Sequence, residues 1–378
     1  MFVPRFIYNR IKERWHPNKV ILITGARRVG KTELMKHIQS QSGKTVLFLN
    51  GEDADVANML ETRSVSHYQR ILDGVDLLII DEAQTISNIG SILKLMVDEI
   101  NDVKIIASGS SSFDLTNDIG APLTGRKYEF TMYPLAQAEL GKIENPLDTN
   151  RKLEERLILG SYPELTNIES FEEKKDYLRE IVNSYLLKDI LAIGGIKKSA
   201  KMNQLLHMVA RQVGQEVSYQ ELAKKLGMSK NTVERYLDLL SKVFVLYRLK
   251  GYSKNLRKEI TKNDKWFFVD NGIRNALLND FRFPSQRDDM GALWENYILT
   301  ERIKYTSFRS GKVDYYFWRT YDQQEIDFLE VEGPTLKAFE CKWGGHKNVI
   351  REPGAFARAY PDAEFTIVRP ENYLDIIT

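Results

Sequence analysis

The chain has 378 residues, more than one ordinary domain of roughly 100–200 residues holds, so two or three folding units are expected. With 43% hydrophobic and 28% charged residues it has material for a sizeable core, and no apolar run is long enough to span a bilayer, so a soluble protein without membrane contact is expected. A net charge of +2 does not by itself announce a nucleic-acid binder, because neutralising phosphates needs clustered Lys and Arg.

The N-terminal Met1-Phe2-Val3-Pro4-Arg5-Phe6 runs into an amphipathic stretch and lacks the features of a secretory signal. One cysteine, Cys341, excludes an internal disulfide framework and a multi-cysteine metal cluster. Together these predict a cytoplasmic protein. Cys341 lies in an alternating apolar segment and reads as a half-buried strand residue rather than a nucleophile.

Residues 1–140 alternate between strand and helix patterns, with apolar runs at Val20–Thr24, 45–49, 77–80 and 104–108, which is the rhythm of a parallel α/β sheet. Residues 141–200 turn helical, with recurring leucines, and read as a lid or connector. Residues 201–275 hold short helical patterns broken by Gly214 and Gly227 and then a basic, aromatic, strand-like stretch. Residues 276–378 give a helix from about Met290 and strands rich in Tyr, Phe and Trp.

After the first strand comes Gly25-Ala26-Arg27-Arg28-Val29-Gly30-Lys31-Thr32, followed by a helix. Glycines let successive N–H groups curl around phosphates, the helix start adds a positive end, Lys31 reaches the β and γ oxygens, and Thr32 ligates Mg²⁺. The third apolar run ends in Asp81-Glu82, at the strand edge where α/β sheets bind ligands. Asp81 is placed to hold Mg²⁺ and Glu82 to polarise the attacking water, which separates hydrolysis from binding. The fourth run ends in the hydroxyls of Ser108 and Ser110, placed to sense the γ-phosphate. Mg·ATP is the expected ligand.

These motifs, with Asp81-Glu82-Ala83-Gln84, Ser108-Gly109-Ser110-Ser111, and Leu123-Thr124-Gly125-Arg126 ahead of Tyr133-Pro134-Leu135, resemble the AAA-type ATPases of archaea and bacteria that carry a DUF4143 C-terminal region. The resemblance covers nearly the whole chain. It implies that Arg126 stabilises charge on the transferring phosphate, either within its own subunit or from a neighbour in a homo-oligomer.

Residues 217–237 read as a helix-turn-helix, with Ser218 and Ser229 as N-caps and Gly227 in the turn. The second helix offers Lys230, Asn231, Thr232 and Arg235 where a recognition helix meets nucleic acid. Arg248, Lys250, Lys254, Arg257, Lys258, Lys262 and Lys265 follow, with Tyr252, Trp266 and Phe267 among and after them, a local excess suited to phosphates. Nucleic acid, DNA above all, is the expected partner.

Near the C-terminus Glu340 and Lys342 stand two apart on one strand and so share a face, with Asp327 on the strand before and Glu295 on a helix. Glu295, Asp327 and Glu340 make a hard oxygen set for Mg²⁺ or Mn²⁺, and Lys342 activates water. The pattern resembles the PD-(D/E)xK restriction-endonuclease-like fold, with Ile326 in place of the usual proline. The whole chain is thus expected to be α/β: a P-loop AAA-type parallel-sheet domain, a helical lid, a winged-helix domain and an endonuclease-like domain. The expected function is an ATPase acting on DNA, with a metal-dependent nuclease domain. The alternative is an ATP-dependent switch whose winged helix and C-terminal domain bind protein partners without cleavage.

Overall fold

The computed structural model describes residues 3–16, 18–110, 123–186, 199–253, 263–309, 311–344 and 351–378. The first sheet contains β1 (Val20–Thr24), β2 (Val46–Asn50), β3 (Leu77–Asp81), β4 (Lys104–Gly109) and β5 (Lys127–Thr131), in the spatial order β2-β3-β4-β1-β5. All four pairings are parallel, so the five C-terminal strand ends lie along one edge. β1, β3 and β4 are buried along their whole lengths, as strands covered on both faces must be.

Alternation of side chains divides the strands between two layers. Ile21, Ile23, Leu77, Ile79 and Ile106 face one core, with Leu34, Met35 and Ile38 of the helix Lys31–Ser42. Val20, Leu22, Leu78, Ile80 and Ala107 face the other, with Leu60, Tyr68, Leu93 and Met96 from helices Ala54–Glu61, Val65–Ile71 and Ile89–Glu99.

Beyond the sheet, helices Leu153–Leu159 and Phe171–Glu180 form the connector. The helix Ser199–Arg211 leads to β6 (Glu216–Val217), helices Tyr219–Leu226 and Lys230–Lys242, β7 (Leu246–Gly251) and β8 (Asp264–Phe268). Local chemistry sets the two middle helices. Ser218 accepts from the Glu221 N–H, Ser229 accepts from the Thr232 N–H, and Gly227 closes the first helix in a left-handed conformation. β7 and β8 pair antiparallel as a hairpin, and β6 adds to β8.

The C-terminal part contributes the helix Met290–Ser307 and strands β9 (Asp314–Arg319), β10 (Glu325–Glu332), β11 (Thr335–Cys341) and β12 (Glu364–Val368). These do not form a separate sheet. β9 pairs parallel with β7, Lys250 opposite Tyr316, giving one seven-stranded sheet in the order β12-β11-β10-β9-β7-β8-β6. Cys341 is buried on β11, and burial pushes its thiol well above the usual range, so the thiolate that a nucleophile needs is disfavoured. Among the described residues no helix is long and apolar enough to cross a membrane.

Candidate functional site

The phosphate loop runs from the end of β1 into the helix Lys31–Ser42 through positive φ at Gly25 (145°), Arg28 (63°) and Gly30 (93°). Such reversals turn successive N–H groups inward and make an anion-binding concavity. Val29 is fully buried and pins the loop to the core. Lys31, 5% exposed, donates to the carbonyls of Gly25 and Ala26 at 2.9 Å each, so its ammonium lies inside the loop. Arg5 buttresses the loop from behind, donating to the Val29 carbonyl at 2.7 Å, the Tyr133 carbonyl at 2.7 Å and Glu139 at 3.0 Å.

β3 delivers Asp81 beside the loop, and Thr32 Oγ1 donates to Asp81 Oδ2 at 2.6 Å. Ser108, fully buried at the end of β4, donates to the other oxygen, Asp81 Oδ1. The parallel pairing of β3 with β4 makes this contact. Glu82 takes up a left-handed φ of 48°, and its N–H is shared between Asp81 Oδ1 at 3.0 Å and Ser108 Oγ at 3.1 Å. Left-handed backbone at a non-glycine residue is strained and points to function when the surroundings hold it. Thr32 hydroxyl and Asp81 carboxylate, side by side, are a hard oxygen pair that fits Mg²⁺.

Arg27, Arg28, Gly30, Lys31, Thr32, Asp81 and Glu82 line one cavity of about 540 Å³, so the sequence-predicted phosphate site converges. Ala26 and Ser108 support its walls from buried positions. The cavity has walls that the sequence did not reveal: Asn50 and Glu52 after β2, and Pro163, Glu164 and Tyr177 from the connector. A strand-end position was the one available signal for Asn50. A second cavity of about 400 Å³ shares Gly30, Glu33, Pro163 and Glu164 with the first and adds the apolar Val3, Met132 and Leu135.

The segment Gly160-Ser161-Tyr162-Pro163-Glu164, which brings Pro163 and Glu164 to the cavity, is held there by Asp270. Asp270 accepts from the Ser161 N–H at 2.8 Å and caps the helix Asn271–Leu278 through the Gly272 N–H at 2.8 Å. Gly160 admits this carboxylate, since a Cβ there would lie 1.9 Å from Asp270 Oδ1. Burial raises the Asp270 carboxyl, with Lys304 and the backbone donors opposing.

Arg126 lies elsewhere. It precedes β5, its carbonyl accepts from the Val20 N–H, and its side chain pairs with Asp98 at 2.6 Å. Val20 begins β1 whereas the phosphate loop follows its end, so Arg126 stands at the opposite sheet edge, about 16 Å along the strand.

On the proposed recognition helix Lys230, Asn231 and Arg235 are exposed and Thr232 is half-buried. The basic run divides. Arg248 pairs with Asp264 at 2.7 Å, and Lys265, 2% exposed, is buried, so neither presents a free charge to a ligand. Lys250 is exposed, while Lys254, Arg257, Lys258 and Lys262 lie outside the described residues.

Lys265 explains the state of the C-terminal acids. Its ammonium lies 2.5 Å from Glu325 and 3.4 Å from Glu295. Asp327, at an irregularity between Ile326 and Leu329, accepts from the Cys341 N–H at 2.7 Å, and Lys342 donates to Glu340 at 2.5 Å. Burial and the neighbouring Asp327 and Glu325 raise the Glu295 carboxyl against the pull of Lys265; burial and Glu340 raise Asp327. Burial disfavours the Lys265 ammonium, yet Glu295, Glu325 and Asp327 together hold it above the ordinary lysine range. Of the two carboxylates, the more exposed Glu325 makes the shorter ion pair with Lys265. Glu295, Asp327, Glu340 and Lys342 therefore meet in one region, but among the described residues no three His, Cys, Asp or Glu side chains gather as a ligand set. With two ammoniums among the carboxylates, the arrangement as it stands does not fit a divalent cation.

Three stretches of the chain match known families: residues 17–141 the AAA domain, 150–283 a domain of unknown function (DUF8612), and 290–373 a domain of unknown function (DUF4143). The second match runs through the connector, the helices Tyr219–Leu226 and Lys230–Lys242, and the β7–β8 pair. An uncharacterized protein of Mycobacterium tuberculosis is 26% identical over 370 residues, covering 96% of this chain and 79% of that protein. One from Methanocaldococcus jannaschii is 24% identical over 382 residues, covering 96% and 82%. Among solved structures, Thermotoga maritima RuvB aligns at 16% identity over 64% of this chain and 85% of that one, with a TM-score of 0.28, too slight a likeness to define a common fold.

Proposed function

Since the chain joins an AAA domain to a C-terminal DUF4143 domain, we propose that it is an ATPase whose turnover acts on nucleic acid through its helix-turn-helix and hairpin. The observation that carries the ATPase reading is the network Thr32-Asp81-Ser108-Glu82 beside the phosphate loop, in one cavity with Lys31. Loop N–H groups and Lys31 bind and orient the phosphates. Thr32 and Asp81 would hold Mg²⁺, which neutralises charge on the β and γ oxygens when bound. Glu82, fixed by its own backbone contacts, accepts a proton from the attacking water. The cavity that adjoins the phosphate loop, with Val3, Met132 and Leu135 beside Glu33 and Asn167 on its walls, has the character of a seat for the nucleotide base. Arg126, at the far edge, serves a nucleotide only as a trans residue from a neighbouring subunit.

Lys230, Asn231, Arg235 and Lys250 supply the exposed polar and basic face for the nucleic-acid reading. ATP turnover measured with duplex, single-stranded and junction DNA tests it. Stimulation is expected, with salt-sensitive binding; no stimulation and no such binding would remove the DNA claim. In the same assay Lys31→Ala should lose nucleotide binding, and Glu82→Gln should keep binding and cut turnover to a small residual rate.

The burial of Lys265 among Glu295 and Glu325 favours a second reading for the C-terminal domain: a scaffold in an ATP-dependent switch, which binds partners and does not cut. A cleavage assay in Mg²⁺ and in Mn²⁺ decides between this and the nuclease reading. Cleavage lost in Glu340→Ala and Lys342→Ala would establish the nuclease.

A further inference from the structure

Gln84 lies two residues beyond Glu82, on the single turn Ala83–Thr85 that follows β3. Its Nε2 faces two groups at once, Glu82 Oε2 at 2.5 Å and Ser110 Oγ at 3.2 Å. Its Oε1 is enclosed and has no hydrogen-bond partner among the described residues. An enclosed acceptor left unpaired is costly and calls for an explanation. Turning the amide over would set Oε1 against the Glu82 carboxylate, oxygen against oxygen, so the carboxylate fixes which way the amide points.

The restraint on Glu82 is therefore double. Its main chain answers to Asp81 and Ser108, and its carboxylate answers to Gln84. An amide suits this work better than a cation. It aligns one carboxylate oxygen without cancelling the negative charge that a proton acceptor needs, and a single donor on Oε2 leaves Oε1 to meet water. Ser110, at the end of β4 and 8% exposed, extends the chain of contacts to the strand between β1 and β3.

We propose that Gln84 is the positioning residue for Glu82: its amide aims the carboxylate at the attacking water and links that aim to Ser110 at the end of β4. The proposal rests on the ATPase reading above.

The test uses the whole chain with Mg·ATP and compares wild type with Gln84→Met, which keeps the length and removes the donor, and Gln84→Glu, which sets a second carboxylate against Glu82. Removing the aim should lower kcat by about ten- to hundredfold. ATP affinity in an equilibrium titration, and KM, should stay within about twofold, because the ground-state contacts are untouched. Adding Gln84→Met to Glu82→Gln should cost nothing further if Gln84 acts through Glu82 alone.

A kcat within about twofold of wild type in both variants would overturn the proposal, as would a loss that multiplies with that of Glu82→Gln. So would a loss matched by weaker ATP binding. Should Gln84→Met fail to melt cooperatively, Gln84→Glu carries the test, with an equal or larger loss of kcat expected. Turnover absent in wild type, or equal in Lys31→Ala, would instead bring down the ATPase reading and the proposal with it. Full wild-type turnover beside unimpaired Gln84 variants sinks the proposal alone.

Discussion

At Gly25 the backbone has φ 145°, and a Cβ there would lie 2.1 Å from the Met132 carbonyl oxygen. Met132 cannot retreat cheaply, because its N–H donates to the Thr24 carbonyl at 2.7 Å and continues the pairing of β5 with β1. A methyl group at position 25 must therefore push the phosphate loop away from β5. For Gly25→Ala the expected outcome is a loss of about 2–3 kcal/mol, read as a lower melting temperature, with ATP affinity weakened at least tenfold in a titration. Wild-type affinity in that variant would show that the loop tolerates the shift and that this close approach does not set its shape. The loop residues themselves were legible because eight consecutive positions both state the spacing and build the site. Arg5, Asn50 and Glu164 were not, because folding brings each to the loop from a distant part of the chain.

Among the elements, the 18-residue helix Met290–Ser307 shows how one terminus can be tied to another element. Asp289, just before it, accepts from Arg287 at 2.8 and 3.0 Å and pairs at 2.6 Å with Arg274 of the helix Asn271–Leu278. Burial pushes the Asp289 carboxyl up, but the hydrogen bonds from Arg287 and the charge of Arg274 outweigh it and hold the group down to about 2. A depressed carboxylate contributes stability that is fully present above its unfolded-state value of 3.8 and is lost as pH falls through the folded value. Asp289→Asn should thus cost on the order of 1–2 kcal/mol near neutral pH, allowing for solvent screening at a partly exposed site, and progressively less as pH falls from about 4 through about 2. Denaturant titrations across that range check it; a difference that does not change with pH would assign the loss to packing instead. Other elements could be read directly. β1 to β4 fall within about a residue of the apolar runs, because strands buried on both faces must be apolar throughout. β5 was not seen: in Lys127–Thr131 only Phe130 is buried, and an edge strand paired on one side needs little more. Ser218, Gly227 and Ser229 made the two middle helices legible, since caps are local chemistry.

For the whole molecule, periodicity suggested a boundary at 275 and 276, yet the tertiary contacts cross it at every level. Within the second sheet β7 pairs with β9, so the hairpin and the C-terminal strands share one set of backbone hydrogen bonds. Asn296 exchanges two hydrogen bonds with the Phe268 backbone, at 2.7 and 2.9 Å, and Trp266, Phe267 and Phe268 share a core with Leu293, Trp294 and Tyr297. The same helix reaches the ATPase part. Glu301 accepts from the Gln137 N–H at 2.6 Å, Lys304 donates to the Leu135 carbonyl at 3.1 Å, and Arg10 donates to the Ser307 carbonyl at 2.7 Å. Pairing across strands specifies none of this in any local stretch of sequence, so a boundary drawn from composition cannot register it. A fragment of residues 1–275 would bare the edge of β7 and three large aromatic side chains, each worth about 1.5–3 kcal/mol of burial. That fragment is expected to aggregate or to bind a hydrophobic dye, and to turn over ATP more slowly than the whole chain, because the loop after β5 loses Glu301 and Lys304. Light scattering, dye fluorescence and ATP turnover of the two proteins side by side measure this. A soluble, monomeric 1–275 with the turnover of the whole chain would mean that the shared sheet is a docking contact between independent units rather than a condition of the fold.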